Sequence, residues 1–377
     1  MGDWLASVFD LNPISPLDNW AALQLERDTI AMLRSLFELS PEFSGAFVSG
    51  ASMSNFVGLA IGREWAGREC GIRVCDEGMA SMAQPAIFAA TPHSSSTKSL
   101  AMLGLGRQTW HEVKCLADRE AMDMDALEQH LAAAEGPCLV IASAGTVNTA
   151  DFDDFTALCR LKRTYPFYLH VDAAFGGFAS VSPDLSGLLE GWECADSICV
   201  DLHKWLNVPY DSAVVFTRHR DLQVDVFSSA SAYLGLTEGE PEPIHLVPEN
   251  SHRWRALPAW FSLTAYGREG HREIVERGCR LARMLGERIR ESEVFELLAP
   301  VRLNVVCFAL RDTETTEAFV EAVRAGGKTF VNQTIFAGKP AIRAAFSNWR
   351  TTERDLDIAW DALSAAACGL EGRQPGR

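Results

Sequence analysis

The chain has 377 residues, 47% of them hydrophobic and 22% charged. That length and balance suit a globular α/β chain with one large domain and one smaller one. The formal net charge of −16 repels phosphodiester backbones, and no Lys/Arg run offsets it, so nucleic acid is not an expected partner.

In chain order, residues 17–39 carry apolar side chains at helical spacing and stop at Ser40-Pro41. Residues 54–65 and 97–104 also predict helices. Short Val- and Ile-rich runs at 138–143, 167–171, 197–200 and 212–217 predict buried strands. Helical patterns at 123–135 and 153–164 lie between the strands, and this alternation predicts a mostly parallel, doubly wound sheet. Residues 235–252 form one long irregular stretch, of a kind that is often mobile or functional. After Pro258 the texture changes to a long helix over about 259–292, a strand at 303–310, a helix at 315–325 and a last helix from about 352. The expected domains are therefore 1–258, with 1–45 as a separate N-terminal segment, and a smaller α/β domain at 259–377.

Compartment and metal chemistry follow from what the sequence omits. No stretch approaches the ~18 apolar residues of a membrane span. The start Met1-Gly2-Asp3-Trp4 is acidic with no apolar run behind it, so neither membrane nor secretory signal is expected. The ten cysteines include no C-x-x-C pair and no Cys/His cluster with zinc spacing. They predict reduced core thiols, no metal site and a cytoplasmic protein.

Two segments carry chemistry. In His170-Val171-Asp172-Ala173-Ala174 an aspartate ends a buried strand and two small residues follow. In Asp201-Leu202-His203-Lys204-Trp205 a lysine follows the strand at 197–200. Ligands of doubly wound sheets bind at the carboxyl ends of strands, so both groups are expected to face one crevice. A carboxylate and a lysine there suit pyridoxal 5'-phosphate (PLP): its aldehyde needs an amine, and its ring nitrogen needs a carboxylate to stay protonated. Taken singly, a strand-terminal Asp is more often a cap or loop ligand, and His-Lys-Trp is more often a surface tripeptide.

The segments HVDAAFGGF (170–178), ADSICVDLHKW (195–205) and YDSAVVFTR (210–218) resemble the core of the group II PLP-dependent amino acid decarboxylases. FVSGASMSN (47–55), PHSSSTKSLAMLGLG (92–106), ASAGTVNTADFDD (142–154) and RAAFSNWRTTERDLD (343–357) extend the resemblance over nearly the whole chain. It implies the fold-type I architecture of aspartate aminotransferase, PLP as cofactor, an amino acid substrate and a homodimer with sites at its interface. By the same resemblance Lys204 forms the resting Schiff base and Asp172 pairs with the ring nitrogen. Ala174 packs on one ring face and His93 on the other. Ala51, Ser52 and His203 are implied as phosphate contacts, the first two at a helix N-terminus, and Thr146 as a neighbour of the phenolic oxygen. Arg350 matches a family position, as a substrate contact or a brace of the small domain. Outside the resemblance, His93 reads equally as a helix cap and Thr146 as a turn residue.

The implied reaction is α-decarboxylation of an L-amino acid, aromatic or related, to an amine. Two departures from the pattern bear on the product. The segment Trp4–Asp10 resembles sequence that the family carries well inside its length, which implies that an N-terminal arm and its share of the substrate pocket are absent or replaced. Stretch 235–252 lacks the tyrosine that reprotonates the intermediate in the aromatic branch, leaving Tyr233 before it and His245 within it. His245 has a side chain suited to acid catalysis near neutral pH, and a solvated loop histidine is the alternative. An aldehyde synthase or carbon–carbon lyase, and a PLP-binding homologue with little turnover, therefore stand beside the decarboxylase.

Overall fold

The computed structural model describes residues 1–14, 16–228, 241–312 and 315–371. Tyr233 and the first part of the 235–252 stretch lie outside the described residues. The chain divides into two compact units, Met1–Ala144 with Phe152–His271, and Gly145–Asp151 with Arg272–Arg377. The boundary expected at 258/259 lies at the start of the helix in which this division falls.

The first unit begins with α1 (Gly2–Phe9), α2 (Pro16–Leu36), β1 (Ser44–Val48), α3 (Ala51–Glu69), α4 (Val74–Glu77), β2 (Ala86–Ala89) and α5 (Ser94–Met102). It continues through β3 (His111–Glu112), α6 (Met124–Ala133), β4 (Cys138–Ser143), α7 (Phe155–Thr164) and β5 (Phe167–Asp172). Then come β6 (Ser197–Asp201), the short α8 (Leu202–Trp205), β7 (Ala213–Thr217), α9 (Arg220–Phe227) and the long α10 (Ala256–Glu291), which enters the second unit. The four strands expected from Val/Ile runs are β4 to β7, with ends within one residue of those read from the pattern.

Strand order in this sheet is β1-β7-β6-β5-β4-β2-β3. Pairs β2/β3, β2/β4, β4/β5 and β5/β6 are parallel, while β7 runs antiparallel to both its neighbours. The sheet is thus the mostly parallel one expected, with β7 reversed. Strands β4 to β7 are buried at every residue, which is why they read as unbroken apolar runs rather than as alternating ones.

Helix α3 lies against this sheet. Val57, Leu59, Ala60 and Ile61 of α3 join Leu139 and Ile141 of β4 and Val215 of β7 in one buried cluster; burying each Val, Leu or Ile side chain contributes about 1.5–3 kcal/mol. Close approach is set by small residues: a Cβ on Gly58 would stand 2.7 Å from the His170 ring, and one on Gly62 2.8 Å from that of Tyr168. The Tyr168 hydroxyl donates to the Gly58 carbonyl at 3.0 Å. Helices α6 and α7 start at aspartate caps: Asp123 accepts from the Asp125 N–H at 3.0 Å and Asp154 from the Ala157 N–H at 2.8 Å.

The second unit holds the rest of α10, then β8 (Phe295–Leu297), β9 (Val305–Leu310), α11 (Thr316–Gly326), β10 (Asn332–Phe336), β11 (Lys339–Ala345) and α12 (Glu353–Glu371). Its sheet, ordered β10-β11-β9-β8, is antiparallel throughout. Phe295 anchors its core, edge-on to Phe308 at 5.6 Å and Phe319 at 5.7 Å. Strands β10 and β11 are joined by Ala337 (φ 48°) and Gly338 (φ 76°), a two-residue turn with both φ positive that suits the twist of a hairpin. The ten cysteines are free thiols. Among the described residues no helix is long and apolar enough to cross a membrane, and no cluster of His, Cys, Asp and Glu is able to hold a metal ion.

Candidate active site

The carboxyl ends of β4, β5 and β6 lie side by side, with Ser143 paired in register with Asp172 and Asp172 with Cys199. Asp172 closes β5 and is 8% exposed. The loop after it turns sharply back, and Gly176 makes this feasible. Its N–H donates to the Ala144 carbonyl at 2.9 Å, and a Cβ there would stand 2.3 Å from that oxygen. The turn leaves the Ala174 N–H donating to Asp172 Oδ1 at 3.2 Å. Ala174 itself is buried.

The other oxygen of Asp172 accepts from Asn55 Nδ2 of α3 at 2.9 Å. A carboxylate only accepts here, so the orientation of the Asn55 amide is fixed. Its second N–H reaches Ser95 Oγ at 2.9 Å, and Ser95 Oγ meets His93 Nδ1 at 2.7 Å. His93 also caps α5, its Nδ1 accepting from the Ser95 N–H at 3.2 Å. The cap reading and the cofactor reading of His93 are therefore compatible: Nδ1 is occupied as an acceptor, and the neutral ring carries its proton on Nε2. On the far side, Asn55 Oδ1 lies 2.9 Å from His170 Nε2, and His170 Nδ1 lies 2.8 Å from Ser197 Oγ. The Asn55 oxygen requires a donor, so His170 is the Nε2–H tautomer and Ser197 donates to its Nδ1.

His170 is fully buried, and that burial pushes its pKa down from 6.5 to about 4, against an upward pull from Asp172. Between pH 6.5 and about 4 the unfolded chain takes up a proton there that the folded chain refuses. The contribution to stability is thus complete above pH 6.5 and is lost as pH falls toward 4, on the order of 3 kcal/mol in total. A His170→Gln variant, with a non-titrating donor in place of Nε2, is expected to flatten the fall in urea midpoint across this window. An unchanged slope contradicts the assignment.

The second cluster gathers around Asp201 at the end of β6, whose side chain is 3% exposed. Asp201 Oδ1 accepts from the Ala51 N–H at the start of α3 at 2.7 Å, a favourable place for a carboxylate at a helix N-terminus. Lys204 Nζ stands 3.0 Å from Asp201 Oδ2 and 4.3 Å from the centroid of the Phe175 ring. His203 Nε2 lies 3.5 Å from Asp201 Oδ2, its ring stacks on Tyr210 at 4.2 Å, and its buried Nδ1 has no hydrogen-bond partner among the described residues. Cys199 joins the two clusters: burial drives its thiol pKa well up, Asp172 and Asp201 add to this, and Lys204 opposes it.

The sequence therefore pointed to groups that the structure brings together: His93 with Asp172 through Asn55 and Ser95, and Ala51, His203 and Lys204 through Asp201. The Ala51 N–H, expected to meet a phosphate, is engaged by Asp201. Ser52 beside it is exposed, and its hydroxyl and N–H have no partner among the described residues. Thr146 and Arg350 lie in the second unit. Thr146 is buried, with its Oγ1 2.9 Å from the Asp151 N–H and 3.2 Å from Thr149 Oγ1. Arg350 is exposed and stacks on Trp349 at 5.7 Å. His245 ends a 3-10 turn, Pro243–His245, and is 3% exposed rather than solvated on a loop.

These groups fit pyridoxal phosphate. Asp172 is held by two donors, Lys204 follows at the next strand end, Ala174 beside Asp172 carries only a methyl group, and Ser52 with the His203 Nδ1, unpaired among the described residues, offers contacts to an anion. Residue reasoning from the sequence missed Asn55, Ser95, His170, Ser197, Asp201 and Phe175, although each lies in or beside a segment already singled out.

Comparison with known proteins agrees. The pyridoxal-dependent decarboxylase conserved domain matches residues 1–311. An aromatic-L-amino-acid decarboxylase of Bacillus atrophaeus is 28% identical over 377 residues, covering 94% of this chain and 75% of that protein. A 3,4-dihydroxyphenylacetaldehyde synthase of Drosophila melanogaster is 30% identical over 254 residues, 66% of this chain, and the match spans 50% of the fly protein. The crystal structure of Oryza sativa TDC with PLP and tryptamine superposes with a TM-score of 0.90 at 22% identity, covering 98% of this chain and 80% of that one, which shows the fold-type I architecture. The chain belongs to the pyridoxal-dependent decarboxylase family, whose cofactor is PLP.

Proposed function

We propose that this chain removes the α-carboxylate of an aromatic L-amino acid as CO2 and releases the amine. The observation that carries the reading is the pairing of Lys204 and Asp172 at neighbouring strand ends, each side chain held by named partners. When bound, PLP supplies an aldehyde for the substrate amine and a ring that accepts the electron pair left behind by CO2. Lys204 Nζ is the amine that anchors the cofactor, and Asp201, 3.0 Å away, holds it toward the crevice. Asp172 supplies negative charge to the ring nitrogen from a buried, doubly hydrogen-bonded position, where such charge acts strongly.

His93, with Nδ1 engaged by Ser95, keeps Nε2 for the opposite ring face and for holding a proton there. Ser52 and His203 are assigned to the phosphate, Ala174 to the near ring face, Thr146 to the phenolic oxygen and Arg350 to the substrate. His245 is the assigned acid of the loop, and its burial requires that it deliver a proton locally rather than from solvent. The same proposal includes a homodimer, on the family resemblance, and a cytoplasmic setting, on the ten free thiols.

A second reading, the aldehyde synthase, is favoured by the fly relative and by the absence of tyrosine from 235–252. The products separate the two. Purified protein supplied with PLP and aromatic amino acids is expected to release CO2 and amine in equal amounts. Aldehyde with ammonia and peroxide, formed at the expense of O2, would establish the second reading. Release of neither, with any of the twenty amino acids or diaminobutyrate, would sink both.

A further inference from the structure

Asn55 joins three side chains, Ser95 of α5 and both His170 and Asp172 of β5. It is 0% exposed, it lies in the second turn of α3, and all three hydrogen bonds that its amide group can direct most strongly are made. One N–H goes to Asp172 Oδ2 and the other to Ser95 Oγ, both at 2.9 Å, while Oδ1 takes the His170 Nε2–H at 2.9 Å. Each of these partners is constrained in turn. Ser95 Oγ accepts from Asn55 and so points its own proton at His93 Nδ1, 2.7 Å away. His170 gives its only proton to Asn55, and Ser197 supplies the donor for its other nitrogen at 2.8 Å. His170 is itself seated by Gly58, where any Cβ would stand 2.7 Å from the ring.

The direction of every proton in this chain of groups is thus determined by its ends. At one end stands an acceptor-only carboxylate. At the other stands an imidazole whose Nδ1 is engaged and whose Nε2 has no partner among the described residues. Buried amides without partners cost about 1–3 kcal/mol each, so the arrangement resists rotation of any member.

We propose that Asn55, backed by His170, is the positioning residue that fixes Asp172 and His93 as a single seat for the cofactor ring. The inference rests on the PLP reading given above and adds two residues to it. It has a consequence that a merely structural Asn55 would not have. A residue that only supports the fold affects every ligand of the site alike. A residue that aims Asp172 affects the ligand with a ring nitrogen more than one without it.

The test uses PLP and its 1-deaza analogue, in which the ring nitrogen is a C–H. Affinities are measured for the protein freed of cofactor and reloaded with each compound. The unsubstituted protein is expected to prefer PLP. In Asn55→Leu, close in shape, and Asn55→Ser, too short to reach Asp172, that preference is expected to shrink by about tenfold or more, as for loss of an interaction to a charged group. His170→Gln keeps a donor where Nε2 stands and is expected to retain the preference, while His170→Leu loses it. Equal loss of affinity for both compounds in the Asn55 variants, or no loss for either, would overturn the proposal.

A second arm needs no cofactor. Nitrogen-15 spectra of histidine-labelled protein are expected to show His170 as the neutral Nε2–H tautomer at pH 6, and a Nδ1–H tautomer would overturn the wiring. If the unsubstituted protein binds neither compound while His170 is the expected tautomer, the PLP reading has failed, and the cofactor role of Asn55 with it.

Discussion

Lys204→Ala is expected to abolish covalent attachment of PLP and to lower CO2 release by about 10²–10⁴-fold, the range for loss of a positioned amine that also handles protons. Attachment is read by mass after borohydride reduction, which fixes a lysine-bound cofactor irreversibly. The substitution has a second effect, because the buried Asp201 carboxylate loses the ammonium 3.0 Å away. A buried charge stripped of its partner is costly, so the melting temperature is expected to fall as well. Lys204→Arg separates the two effects. It keeps the positive charge beside Asp201 and the melting temperature near that of the parent, but offers no amine for attachment. A reduced, cofactor-bearing peptide from Lys204→Ala, or full turnover in it, would refute the anchor assignment.

Asp172→Asn is expected to leave attachment intact and to cut turnover by about 10²–10³-fold, as for removal of one preorganised electrostatic contact. The geometry adds a further cost. In the parent, Oδ1 accepts from the Ala174 N–H and Oδ2 from Asn55 Nδ2. An asparagine amide has one oxygen, so whichever way it turns, its nitrogen faces one of these donors. One buried donor is left without an acceptor, at about 1–3 kcal/mol of stability. The variant is therefore expected to be both slow and less stable, with cofactor still present by mass. Turnover equal to the parent would remove Asp172 from the mechanism.

The parts of the molecule that could be read from sequence share a physical feature: the signal was local. Strands β4 to β7 are buried along their whole length, so each writes itself as a continuous apolar run. Asp172 and Lys204 stand out because a charged residue ends or follows such a run. Strand β10 is mostly exposed, its residues Asn332-Gln333-Thr334-Ile335-Phe336 alternate weakly, and its hairpin turn is Ala-Gly rather than the usual Asn-Gly, so neither it nor β11 was expected. Strands β1 (Ser-Gly-Ala-Phe-Val) and β2 (Ala-Ile-Phe-Ala) are short and carry small residues in place of a Val/Ile run, so their pattern does not separate them from loop.

In the site the same contrast holds. Asn55 is an ordinary helix residue until β5 is placed beside it, and its bond to Asp172 joins positions 117 apart in sequence. Asp201 could be seen as a strand end, but not as the group that takes the Ala51 N–H and pairs with Lys204. His245 was legible as a histidine of suitable chemistry, whereas its burial against α9 depends on how residues 241–247 fold back onto the first unit.

The directional wiring through Asn55 also bears on how the sequence is free to drift. A carboxamide at position 55, a donor at 170, a hydroxyl at 197 and a residue without a side chain at 58 satisfy one another, and an exchange at any one is tolerated only where it keeps the donor or acceptor that its partner needs. An acidic residue at 55 would face Asp172, and any larger residue at 58 would push the imidazole out of line. These positions are expected to change across descendants of this chain only within the hydrogen-bonding pattern that joins them. The apolar positions of the same sheet, by contrast, trade methyl groups one at a time.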